Sequence, residues 1–79
     1  MTEHEAITAT RSLFEGMISG CKDKQSAIVV QSRIGTDGKV LYAFSGLDNA
    51  ASKCAEAIIK GAASPHKIGA EYSVVVNTR

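Results

Sequence analysis

Tryptophan is absent from this chain of 79 residues, and its aromatic side chains are two phenylalanines and two tyrosines. Proline occurs once, at Pro65. No stretch approaches the roughly 18 apolar residues that a membrane-crossing helix needs. The first residues, Met1-Thr2-Glu3-His4-Glu5, are acidic and lead into no apolar core of a secretory signal. Like charges never run together, and the formal net charge is +1. That excludes a basic tail or a polybasic lipid-binding patch, and it argues against a general nucleic-acid binder, which at this size is usually more basic. Cysteine occurs twice, at Cys21 and Cys54, without the C-x-x-C spacing of a redox or zinc motif. Two cysteines are too few for a secreted disulfide scaffold. The expectation is therefore a pair of small, buried core residues in a cytoplasmic protein.

What remains is ordinary globular material. Hydrophobic residues make up 44% of the chain and charged residues 22%, a balance that argues against disorder. The length is that of one small α+β domain, residues 1–79.

The hydrophobic periodicity predicts a helix over 3–19. Thr2 and Glu5 have capping-box spacing. At 100° per residue, Ala6, Ile7, Leu13, Phe14, Met17 and Ile18 share an arc of roughly 140°, with Thr10 and Cys21 inside it. His4, Arg11, Ser12, Glu15 and Ser19 take the opposite, watery face, and Gly20 is placed to end the helix. The segment from Gln25 to Ile34 is β-branched and strand-like around Ala27-Ile28-Val29-Val30. Gly35-Thr36-Asp37-Gly38 follows, and Asp-Gly between two such runs predicts a tight hairpin returning over Lys39 to Ser45. Ser45 or Asp48 can cap a second helix, whose Ala50, Ala51, Cys54, Ala55, Ile58 and Ile59 form an apolar face. Lys53, Glu56 and Lys60 face water, with Glu56 and Lys60 as an i,i+4 pair. Gly61 ends this helix, a loop covers 62–70, and Glu71 to Asn77 reads as a closing strand.

The predicted fold is thus a two-layer αββαβ sandwich, with a three-stranded, mainly antiparallel sheet and both helices on one face. A β-α-β crossover, right-handed by rule, puts the last strand beside the first of the hairpin, giving the order 2-1-3. A two-residue loop at Asp37-Gly38 would pair Thr36 with Lys39, Ile34 with Leu41 and Ser32 with Ala43. One hairpin face is then Ile28, Val30, Ser32, Ile34, Leu41, Ala43 and Ser45. The other holds Val29, Gln31, Arg33, Val40, Tyr42 and Phe44, and no third layer covers it.

Residues that could carry chemistry are scattered. His4, His66, Cys21 and Cys54 lie on four different segments and do not have the spacing of a metal site. A Cys–His nucleophilic pair would need His66 to meet a cysteine by folding alone. Glu3 and Glu5 serve the helix start and its dipole. Gly35-Thr36-Asp37-Gly38 fits the G-x-x-G of a KH loop, but that loop joins helices and this one joins strands. Gly61-Ala62-Ala63-Ser64 lacks the phosphate-loop lysine and follows a helix. A double-stranded RNA-binding domain runs helix, three strands, helix, which is not the order here.

The expected function is accordingly non-enzymatic, with no cofactor and no metal. A protein partner or a second copy would bind through Val29, Gln31, Arg33, Val40, Tyr42 and Phe44. Size and lack of motifs also match a small phage-type inhibitor of a host defence system, of the anti-CRISPR kind. The alternative is a module for single-stranded nucleic acid or nucleotides. Tyr42 and Phe44 would then stack bases while Arg33, Lys39 and Lys24 meet phosphates. If Arg33 is instead structural, it lies over the Tyr42 ring as a cation–π pair.

Overall fold

The computed structural model describes residues 1–23 and 25–78, and its elements run helix, strand, strand, helix, strand. Lys24, read above as a phosphate contact, lies outside the described residues.

The first helix, α1 (Glu3–Met17), starts where the sequence places it. Thr2 accepts the Glu5 amide at 3.2 Å, and the Glu5 carboxylate accepts the Thr2 amide at 2.9 Å. It ends earlier than its periodicity suggests. The chain tightens into a 3₁₀ turn, η1 (Ser19–Cys21). Gly16 and Gly20 flank this point, and glycine costs about 1 kcal/mol in a helix interior relative to alanine.

Strands β1 (Ile28–Ile34), β2 (Val40–Ser45) and β3 (Tyr72–Thr78) form one antiparallel sheet in the order β2-β1-β3. β3 pairs with β1 in an unbroken register from Ile28↔Thr78 to Ile34↔Tyr72. α2 (Ala50–Lys60) lies on β2 and β1, while α1 lies on β3. The N-cap of α2 is Asn49, neither Ser45 nor Asp48. Its side chain accepts the Ser52 amide at 2.7 Å and donates to the Ala27 carbonyl at 2.9 Å. That second bond, to the chain entering β1, selects Asn49 over the other two.

The hairpin departs from a two-residue loop. Such a loop in its favoured form needs positive φ at both central residues, and only Gly38, at φ 88°, has one. The loop is Thr36-Asp37-Gly38 instead. The Gly35 amide donates to the Lys39 carbonyl at 2.8 Å, and the Gly38 amide to the Gly35 carbonyl at 2.9 Å. Glycine takes the left-handed position without steric cost, which Asp37 would not. Ile34 therefore pairs with Val40, and Leu41 becomes a bulge that restores Arg33↔Tyr42 and Ser32↔Ala43. The bulge reverses two assignments. Val40, expected on the uncovered face, is half-buried against the core, and Leu41, expected inside, is 54% exposed.

The core lies between sheet and helices. Ile28, Val30, Ile34, Tyr72, Val74 and Val76 point into it from the strands, and Phe14, Ile18, Ala55 and Ile59 meet them from the helices, each fully buried. Leu13 and Met17, read as core, sit at the margin and are exposed. A ring of hydroxyls closes the core beneath the 62–70 loop. Tyr72 donates to the His66 carbonyl at 2.6 Å, so its oxygen must accept the Thr10 proton at 2.9 Å. Thr10 then accepts from Ser64 at 2.7 Å, and Ser64 accepts the His66 amide at 3.0 Å. Each proton has one acceptor, and the ring starts and ends on His66.

Cys21 and Cys54 form a disulfide, with Cα atoms 5.7 Å apart. This corrects the reading of two free, buried thiols. Cys21 is 9% exposed, whereas Cys54 is on the solvent side of α2. No described helix is long and apolar enough to cross a membrane.

Candidate protein-binding face

Alternation along three strands places Val29, Gln31 and Arg33 of β1, Tyr42 and Phe44 of β2, and Ser73, Val75 and Asn77 of β3 on the side away from the helices. Phe44, Gln31 and Val75 form one row across the sheet; Tyr42, Arg33 and Ser73 form the next. The rings of Tyr42 and Phe44, two residues apart on one strand, lie nearly parallel, with centroids 6.0 Å apart and an interplanar angle of 14°. They are 50% and 46% exposed, and Val75 is 41% exposed. Two aromatic rings held side by side on a strand form a preordered apolar ledge.

Arg33 does not lie over Tyr42. Its Nε donates to Glu71 Oε1 at 3.2 Å and its Nη1 to Ser73 Oγ at 3.0 Å, which turns it toward β3. Ser73 on the neighbouring strand and Glu71 just before it offer hydrogen bonds and a full charge, and these replace an exposed cation–π contact of about 0.5–1 kcal/mol. Its charge is thereby balanced within the face. Val29, at the end of β1, is half-buried because the chain leaving β2 crosses it. The Gly46 amide donates to the Val29 carbonyl at 2.7 Å, and any Cβ at Gly46 would collide with the Val29 side chain. Of the six residues the sequence assigned to this face, Gln31, Arg33, Tyr42 and Phe44 lie together on it. Val29 is partly covered, and Val40 belongs to the other side. Val75, Ser73 and Glu71 went unassigned. The alternation of β3 about Tyr72 was the signal that could have placed them.

The sheet's two edges are closed differently. The Val29 carbonyl faces β2, so alternation turns the Val75 carbonyl and the Ser45 amide outward. From α1, Arg11 Nε donates to the Val75 carbonyl at 3.0 Å. From α2, Glu56 Oε1 accepts the Ser45 amide at 2.6 Å and the Ser45 hydroxyl at 3.0 Å, while Lys60 sits 3.3 Å from its other oxygen. The Ser45 amide, then the Ser45 hydroxyl and Lys60, hold the Glu56 carboxyl below the usual carboxylate value. Both Arg11 and Glu56 read as water-facing in the sequence. A cation meets a free acceptor and an anion a free donor, which blunts both edges against stray strand pairing. Asp48 and Lys53 form an exposed ion pair at 2.9 Å beside Phe44. It lowers the Asp48 value and raises that of Lys53.

Among the described residues, no cluster of three His, Cys, Asp or Glu side chains could hold a metal. The fold and the face define a small two-layer α+β protein with one polar-rimmed aromatic ledge. No family model matches the chain, and no curated protein or solved structure is similar enough to count as a match.

Proposed function

We propose that this chain is a non-enzymatic binding module that docks a protein, either a partner or a second copy, on the open sheet face through Tyr42 and Phe44. The observation that carries the reading is the stacked, half-exposed ring pair on the edge strand β2, which is paired with β1 and tied to α2 where Glu56 meets Ser45. Aromatic anchors of this kind dominate protein interfaces, where losing one costs about 2 kcal/mol or more of binding. The folded chain exposes 4573 Å², close to the surface of about 4,600 Å² expected for a compact monomer of its length. The chain therefore needs no partner to be compact. In the finer form of the proposal the module is a small phage-type inhibitor of a host defence protein, anti-CRISPR-like in size and economy.

Binding of single-stranded nucleic acid is the weaker reading, because Glu71 already balances Arg33, the one cation among the site residues. The proposed setting is the cytoplasm. Disulfides persist mainly in oxidising compartments, so in that setting the Cys21–Cys54 bond would be exposed to reduction.

Light scattering coupled to gel filtration at tens of micromolar tests the second-copy form. A dimer that Tyr42→Ala or Phe44→Ala dissociates supports it, and a clean monomer leaves a different protein as the partner. Anisotropy with mixed oligonucleotides over a decade of salt tests the rival. Tight binding whose log affinity falls by about 0.7 per phosphate per decade of salt would overturn the protein-docking reading.

A further inference from the structure

The helical layer is held together at one point by chemistry that the open face does not use. η1 packs against both α1 and α2, and the Cys21–Cys54 bond joins η1 to α2 across a separation of 33 residues. The two sulfurs are unequal. Cys21 belongs to the buried cluster with Phe14 and Ile18 at 9% exposure, while Cys54 lies on the solvent side of α2 beside the buried Ala55. A thiol reaching this bond from water meets Cys54 first. Thiol–disulfide exchange depends on access to the sulfur under attack as well as on thiolate reactivity.

We propose that Cys54 is a thiol-exchange site, open to low-molecular-weight thiols of the glutathione class, and that the Cys21–Cys54 bond is a reversible clamp on the helical layer. An external thiolate attacks Cys54 Sγ. The Sγ–Sγ bond breaks, and Cys21 leaves as a thiolate that takes a proton from water. A second thiolate attacks the external sulfur of the mixed disulfide and releases Cys54, which is protonated in turn. Two external thiols are oxidised to one disulfide, and the two electrons reduce the protein bond. Reduction frees η1 from α2 and leaves the sheet intact, because β1, β2 and β3 are joined by backbone bonds that do not involve η1.

The test uses the whole chain in reduced and oxidised glutathione buffers. Intact mass after alkylation counts thiols, and amide hydrogen exchange reads local opening. Oxidising buffer should give no alkylatable thiol and millimolar reduced glutathione two. The trapped mixed disulfide should map to Cys54 by peptide mass. On reduction, the Cys21 amide, bonded to Ile18 at 2.8 Å, should exchange at least tenfold faster while β1 and β3 amides hold. In single variants, oxidised glutathione should modify Cys21→Ser, which keeps Cys54, at least tenfold faster than Cys54→Ser. Glutathione mapped to Cys21, a bond that survives millimolar thiol, two free thiols in oxidising buffer, or unchanged exchange at η1 would each overturn the proposal. Should either variant fail to fold, the wild-type peptide map and exchange data still decide.

Discussion

The two faces of one three-stranded sheet obey different rules. On the helix side every second residue of β1 and β3 is buried, and each polar atom of the ring under the loop is spent: Thr10, Ser64, Tyr72 and the backbone of His66 leave no donor idle. On the open side the same strands carry Tyr42, Phe44 and Val75 half in water, and Arg33 is bonded sideways to Glu71 and Ser73. The first face is closed and supplies stability. The second is backed by the first, and its apolar side chains stay half in water.

The contrast breaks most visibly when each face loses a ring. Phe14→Ala empties a fully buried site and should cost about 3–5 kcal/mol, a large share of what a domain this small has. Tyr42→Ala on the open face should cost less than about 1 kcal/mol. Urea denaturation with both variants measures the difference; equal losses would mean that the open face is part of the core. A smaller effect tests the hydroxyl ring. Tyr72→Phe strands the His66 carbonyl and removes the acceptor for Thr10, so it should cost about 1–3 kcal/mol. It should also speed exchange of the His66 amide. A neutral result would mean that water replaces the missing hydroxyl.

The smallest expected effect lies at the edge between the faces. Glu56 has a lowered value in the folded chain. Its contribution is complete above the ordinary carboxylate value of 4.5 and disappears as pH falls through the lowered one. Glu5, Asp23 and Asp48 are lowered too, by bonds that Glu56→Gln leaves in place. Wild type should therefore exceed Glu56→Gln in stability at neutral pH, and the gap should close on acidification. Parallel stability curves would exclude the Glu56–Ser45 bond as its source.

The sequence by itself determined the elements, their order and which hairpin face has no cover. Those features follow from local rules: capping spacing at Thr2 and Glu5, period-2 alternation in β1, β-branched runs, and a turn built on glycine. The sheet order 2-1-3 followed from the same rules, because a crossover carrying a helix has few places to put its strand. Tertiary structure decided the rest. Of the loop residues only Gly38 takes a left-handed φ, the turn has three residues where two were expected, and the bulge at Leu41 exchanges the places of Val40 and Leu41. Arg11 and Glu56 looked solvated on their helices until the sheet edges supplied an acceptor and a donor. Cys21 and Cys54 are 33 residues apart, and no local pattern pairs them. Only the packing of η1 on α2 brings their sulfurs together, because proximity across the chain is a property of the folded layer and not of either helix.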